Sequence, residues 1–548
     1  MKTCLYLAFL WSGLYASAFA QLITPIRLSQ MVVMSDSVHL ATDIFLHPDR
    51  LPEPAILIRT AADRERYEKI ATFFVSHGYH VIVQSTRGRF GSEGVDSLFF
   101  NIRRNFISDT HEMLEWIAAR PWSNGRIGMF GIHDAGWIQY KSAPGSPEVL
   151  KAQYIISAPF HFHFHAAFDH GAPRQEIMEN WVPQITAASL SDWFMDPLSF
   201  SRPPSPISGD ELATVNIPVS HVTGWYDGFK EGNIAAFRVL SRKAAPFSRQ
   251  YQRLIIGPWT AEMESIGRQE QGEFIFPQSA EFDVLNDALR WFDQWLKAKD
   301  TGVLLEPPVR YYLMGDLQDP LAPGNRWLYA ADWPPPSKPV KFYLGKGGVL
   351  QRERKDKDET AEGIRYVPEN PVPTVGGATV TLESGPFDQS TVELREDVLT
   401  FTSSPLERPL AIAGPVRVKL YAASDAVDTD FTAKLTDVYP NGRSILVADG
   451  IVRALYRKSY KKPALLTRNK VHEFWIELGH IAMVFNKGHR IRLAVSSSNA
   501  PKYLPNPNLP LQRPINLKTR IAINTIYYGG GKPSYLLLPV INLDDEMK

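Results

Sequence analysis

A chain of 548 residues with 44% hydrophobic and 21% charged residues is globular, and it is too long for one ordinary domain. A formal net charge of +1 excludes the strongly basic surface that nucleic acid or an anionic membrane requires, and no basic patch interleaved with aromatics appears. The single cysteine, Cys4, excludes disulfides, thiolate metal sites and a cysteine nucleophile from everything that follows it.

The chain opens with Lys2 and an apolar run to Ala16, then Ala18-Phe19-Ala20. This pattern predicts a secretory signal peptide over residues 1–20 and a secreted or secretory-pathway protein. The run is short of the ~20 residues that span a bilayer, so no membrane partner is expected. No Asn-x-Ser/Thr sequon follows, so the leader alone carries that expectation.

From about residue 28 to 160, short apolar runs alternate with helical patterns. Ala55–Arg59, Tyr79–Val83 and Tyr154–Ser157 suit buried parallel strands. Between them, Asp109–Ala119 carries the helical stripe Met113, Leu114, Trp116 and Ile117. This βαβ pattern predicts a parallel sheet with right-handed crossovers. The alternation breaks down over 160–213, where aromatics and prolines crowd together. It resumes at Ile217–Gly224 and Arg253–Gly257. An amphipathic helix is predicted over Ser279–Ala298, with Phe282, Leu285, Leu289, Phe292 and Leu296 on one face. The proline-rich stretch 333–338 reads as a linker. Beyond it, alternating strands such as Val416–Tyr421 and Ile491–Ser496 predict an all-β module, and Gln351–Gly363 reads as a charged, solvated loop.

The most informative stretch is Ile127-Gly-Met-Phe-Gly-Ile-His-Asp-Ala-Gly136. An apolar strand runs into a Gly-x-x-x-x-Gly turn that a helix should follow. That is the layout of the nucleophile elbow, where a strained turn lifts one side chain above a sheet. Gly131 and Gly136 fit the close packing such a turn needs. The apex residue is His133, where a hydrolase of this type has Ser or Cys.

With Gln84–Gly94, Trp122–Gly131, Gly224–Phe229, Ile256–Trp259, Asp425–Lys434 and Gly488–Asn499, the chain from about Asp36 to its C-terminus resembles the CocE/NonD family of serine hydrolases. That family includes cocaine esterase and the X-Pro dipeptidyl-peptidase relatives. The resemblance implies an α/β fold: an α/β-hydrolase domain (21–159 and 214–332) with a short helical cap insertion (160–213), then a C-terminal β jelly-roll domain (339–548). The insertion is shorter than the family's cap, which predicts a more open pocket. The family's catalytic aspartate falls on Asp227. Its histidine, in Gly-Pro-Trp-Ser-His, falls on Ala261, and its oxyanion tyrosine, in Arg-x-Pro-Tyr-Asp, falls on Ala62. The remaining oxyanion donor is the backbone N–H of Asp134, whose own carboxylate is a poor neighbour for a developing negative charge. Removing a whole triad costs on the order of 10⁶-fold in a serine protease. At about 1.36 kcal/mol per decade that is roughly 8 kcal/mol of transition-state stabilisation.

Three other readings of the pocket remain open. His133 could pair with Asp227 as an acid–base unit for a lyase, isomerase or cyclase, or it could fill the pocket and bond locally. In an extended Phe160–His165 segment, His161, His163 and His165 would share a face, which suits a metal or equally an edge strand or cap lining; no metal and no cofactor are expected. Trp225, Tyr226, Phe229 and Trp259 could pack the core, or border a pocket for a flat aromatic ligand. An esterase with a relocated nucleophile would need Ser157, which ends a strand and lacks a Gly-x-Ser-x-Gly turn.

The resulting expectation is a non-catalytic hydrolase-fold protein that binds an aromatic small molecule and directs the selectivity of a partner enzyme. It is similar in this to the fungal hydrolase-like proteins that act beside a secreted laccase in viriditoxin-type dimeric naphthopyrone biosynthesis. That similarity implies an oxidase partner, by analogy of fold alone.

Overall fold

The computed structural model describes residues 23–49, 51–96, 103–187, 198–201, 207–355, 357–510 and 518–543. The leader expected over residues 1–20 lies outside them. Among the described residues, no helix is long and apolar enough to cross a membrane.

Ten strands form the first sheet. They are β1 (Ile26–Val33), β2 (His39–Leu46), β3 (Glu53–Thr60), β4 (His80–Ser85), β5 (Ser123–Ile132), β6 (Leu150–Ile156), β7 (Val219–Tyr226), β8 (Gln252–Thr260), β9 (Val309–Leu313) and β10 (Arg326–Ala330). Their order is β1-β2-β4-β3-β5-β6-β7-β8-β9-β10. Strands β3 to β9 run parallel, while β1, β2 and β10 add antiparallel edges. The central strands are near-continuous apolar runs because helices cover both faces; every residue of β7 and β8 is buried. Each fully buried aliphatic side chain contributes about 1.5–3 kcal/mol relative to exposure.

The covering helices include α1 (Glu68–Ser76), α2 (Asp109–Ala118), α3 (Asp134–Ser142), α4 (Lys230–Lys243) and α5 (Val284–Leu296). Helix α5 starts later than its apolar pattern predicts, because Asp283 caps it by accepting from the Asn286 N–H at 3.0 Å. Its fully buried residues include Ala288, Trp291, Phe292 and Leu296; Phe282, Leu285 and Leu289 are only partly covered.

Eleven strands form the C-terminal β-rich domain, from Lys338–Gly345 to Tyr535–Val540. Its longest antiparallel pair joins Leu410–Ser424 to His472–Phe485. The charged stretch read as a loop is in its second half a strand, Glu359–Tyr366, paired with Ala522–Gly529. It alternates exposed and covered residues, as a half-buried strand does. Nor is 333–338 a free linker. Trp333 is fully buried, packs on Trp225 and Tyr311 at 5.5 and 5.1 Å, and joins a core shared by both domains.

Candidate functional site

Strand β5 ends at Ile132 and helix α3 begins at Asp134, so a single residue, His133, makes the turn. Its backbone has φ 53° and ψ −112°, a strained conformation for a residue with a side chain. Close packing enforces the turn. A Cβ on Gly131 would come within 2.7 Å of the Ala135 Cβ, and one on Gly136 within 2.6 Å of the Ala158 Cβ.

Aromatic rings cover much of the elbow. His133 is buried beneath Phe229, whose ring meets its imidazole edge-on at 5.7 Å, and Trp181 backs Phe229 at 4.9 Å. The His133 Nε2–H donates to the Ala261 carbonyl at 3.1 Å. The surroundings of Ala261 are thus not a gap; its backbone carbonyl receives the imidazole of the elbow. Burial pulls the His133 pKa down to about 4, so the ring is neutral near pH 7.

Asp227 follows β7 and is wholly buried. It accepts from Thr223 Oγ1 at 2.5 Å, Ser157 Oγ at 2.8 Å and the Phe229 N–H at 2.7 Å. The His133 Nε2–H and the Asp227 carboxyl therefore have different partners. Ser157, at φ 43°, gives its hydroxyl hydrogen to a carboxylate rather than to an imidazole. Asp134 folds its carboxylate back onto β3, accepting from Thr60 Oγ1 at 2.8 Å and the Ala61 N–H at 2.7 Å. A carboxyl side chain of the protein itself thus occupies donors beside Ala62. Burial raises the carboxyl pKa of both Asp134 and Asp227 against the pull of these donors.

The remaining candidates disperse. Trp225 donates its Nε1–H to the Tyr312 carbonyl at 2.7 Å, in the core shared by the two domains. Trp259 stacks on Phe282 at 5.2 Å on the other side of the sheet core. Tyr226 joins the same shared core as Trp225 and donates its hydroxyl to the Leu446 carbonyl at 3.3 Å, which leaves Phe229 as the one of the four seen against His133. The Phe160–His165 segment is not extended: it enters a helical turn at Phe162, with a helix over His163–Ala167. A helical backbone sends residues i and i+2 to different sides, so the three imidazoles do not converge. His163 donates Nε2–H to the Phe200 carbonyl at 2.9 Å, while the His161 N–H donates to His165 Nδ1 at 3.0 Å. Among the described residues, no group of three or more His, Cys, Asp or Glu is placed to hold a metal ion.

A cavity of about 750 Å³ opens where the cap, helix α4 and the β-rich domain meet. Asp227 and Gly228 reach its wall, but His133 does not. One side is aromatic: Phe164, Phe168, Phe200 and Tyr460 pack at tilted to edge-on angles, with ring centroids 5.2–6.1 Å apart. The other side is polar and paired. Lys502 bonds both Asp449 oxygens at 2.9 and 2.8 Å, and His480 bonds Glu231 at 2.7 Å. Burial works against the Glu231 carboxylate, but His480 outweighs it and holds the pKa at about 2. His170 leans on Asp169 at 2.6 Å, and the Tyr503 hydroxyl donates to the other oxygen of Asp169 at 2.6 Å.

Sequence reasoning missed this cavity. Asp169-His170-Gly171, a polar turn inside an aromatic run, was its one local signal. Tyr503 and Lys502 arrive from more than 300 residues away, which no local pattern reports.

A model of the X-Pro dipeptidyl-peptidase S15 family matches residues 36–193, and one of the X-Pro dipeptidyl-peptidase C-terminal non-catalytic domain matches 301–537. The cocaine esterase of Rhodococcus sp. (strain MB1 Bresler) is 30% identical, over 93% of this chain and 98% of its own. The chain belongs to the CocE/NonD hydrolase family. Two solved structures share the fold. An aminopeptidase from a marine sediment Thaumarchaeota archaeon has a TM-score of 0.80 at 22% identity, covering 99% of each chain. An α-amino acid ester hydrolase has a TM-score of 0.78 at 23% identity, covering 97% of this chain and all of its own. Within this CocE/NonD chain, the elbow is a strand–turn–helix with the His133 imidazole at its apex.

Proposed function

We propose that this family member is not a serine hydrolase but a non-catalytic binding protein for an aromatic small molecule. The observation that carries the reading is the bond from His133 to the Ala261 carbonyl: the elbow holds an imidazole, and its Nε2–H is spent on the backbone where the family has its base. No hydroxyl or thiol stands at the apex, and the Asp134 carboxylate lies on the neighbouring amide. A rewired acid–base role for His133 with Asp227 is disfavoured by their separate partners. The ligand's place is the junction cavity, whose volume falls in the range of small-molecule sites and whose aromatic side offers stacking. By analogy with the laccase-associated hydrolase-like proteins, the bound aromatic is presented to a partner oxidase and its coupling is steered.

The test is twofold. Purified protein should neither turn over nitrophenyl esters nor be labelled by a fluorophosphonate. It should shift the isomer ratio formed by a laccase from a naphthol without changing the laccase's rate of oxidation. Stoichiometric labelling of a serine would overturn the non-catalytic part; an unchanged isomer ratio would overturn the steering part.

A further inference from the structure

We propose that the junction cavity is specific for aromatics bearing an ionisable hydroxyl group, and that His170, held by Asp169, receives the hydroxyl proton. The inference rests on the cavity being the ligand site, as proposed above, and names the chemistry recognised there. Four observations support it.

First, Asp169 binds the imidazole at Nδ1, which fixes the tautomer and leaves Nε2 as the nitrogen open to the cavity. The His170 side chain keeps 45% of its surface exposed, while Asp169 is anchored from behind by Tyr503. Second, the backbone holds this geometry under strain. His170 has φ 43° at the tip of the short hairpin Phe168–Asp169 and Ala172–Pro173, and the Arg453 N–H pins its carbonyl at 3.1 Å. Gly171, at φ 91°, lies so close to Tyr456 that a Cβ there would come within 2.4 Å of its ring. A non-glycine residue held at positive φ on a cavity wall points to function. Third, Phe168 immediately precedes the pair and joins Phe164, Phe200 and Tyr460, so a flat ring on the aromatic side brings its substituent toward the imidazole. Fourth, the surroundings favour a cationic ring. Burial opposes the charge, but Asp169, with Glu477 and Glu231 beyond it, lifts the imidazole pKa above its usual value.

The proton step balances within the pair. The O–H bond breaks, its electrons stay on oxygen as the aryloxide, and the proton completes an imidazolium whose charge faces Asp169.

The test compares 2-naphthol with 2-methoxynaphthalene, which has the same ring and no acidic proton, on the full-length protein. Wild type should bind 2-naphthol about tenfold tighter, the size of one charge-assisted hydrogen bond, and the bound naphthol should show the red-shifted absorption of the naphtholate. His170→Asn tolerates positive φ and cannot take the proton. It should bring the two affinities within about twofold and abolish the red-shifted band. Tighter naphthol binding that survives in His170→Asn overturns the role of His170. Equal affinities in the wild type overturn the selectivity while leaving the cavity as a binding site. Binding of neither compound overturns the cavity reading and this inference together.

Discussion

The elbow and the junction cavity meet at Asp227, which reaches the cavity wall, and they treat their polar groups differently. At the elbow most polar groups are turned inward: His133 Nε2 to the Ala261 carbonyl, Asp134 to Thr60 and Ala61, Asp227 to Thr223, Ser157 and Phe229. In the cavity the groups are also paired, but one member of the Asp169–His170 pair keeps an open face. Groups that satisfy one another completely hold a fold together; a group oriented on one side and open on the other can meet a ligand.

The comparison can be broken by substitution, and the largest effect is expected in the cavity wall. Lys502→Met strands the Asp449 carboxylate, which is buried with it. Breaking a buried pair from one side costs about 3–5 kcal/mol, so the urea midpoint should fall steeply. Lys502→Met with Asp449→Leu should recover most of that loss; no recovery would show that the pair does more than neutralise itself.

The next effect belongs to the elbow and depends on pH. The unfolded His133 imidazole takes up a proton below about pH 6.5, whereas the folded one resists until about pH 4. The unfolded state therefore binds more protons in this window, and stability falls as pH drops from 6.5 to 4. A gap of about 2.5 pH units at about 1.36 kcal/mol each sets an upper bound of about 3 kcal/mol. His163, His165 and His221, also held near 4 by burial, share the window. His133→Asn should remove only its own part of the slope, read from stability curves at several pH values. An unchanged slope would mean that the elbow is open to water.

Asp134→Ala should cost about 1–3 kcal/mol in chemical denaturation, because it leaves the Ala61 N–H buried without its acceptor. Far from both regions, Arg242→Ala removes an exposed pair with Asp332 and should change stability by less than about 1 kcal/mol. That variant is the baseline against which the other three are read.

Much of the architecture was legible because it is local. The parallel strands announce themselves as apolar runs, and Gly131 and Gly136 mark the turn through their lack of a Cβ. The identities of His133, Ala62 and Ala261 could be read by position along the chain. Where His133 directs its nitrogen could not, since Ala261 lies 128 residues away. Alternation in Phe160–His165 looked extended and is helical, because packing of the cap overrides a period-two pattern in so short a stretch. Trp225 and Trp259 sit beside site positions in sequence, yet their neighbours Tyr312 and Phe282 draw them into two separate cores.

The central claim is that ligand binding has left the elbow for the junction cavity. A fluorescence titration of 2-naphthol against wild type, His133→Ala and Ala235→Trp tests it most directly, Ala235 being a cavity-wall residue on α4. The account predicts that affinity survives His133→Ala within about twofold and is lost in Ala235→Trp, whose side chain fills the cavity. Affinity that collapses in His133→Ala and persists in Ala235→Trp would contradict it.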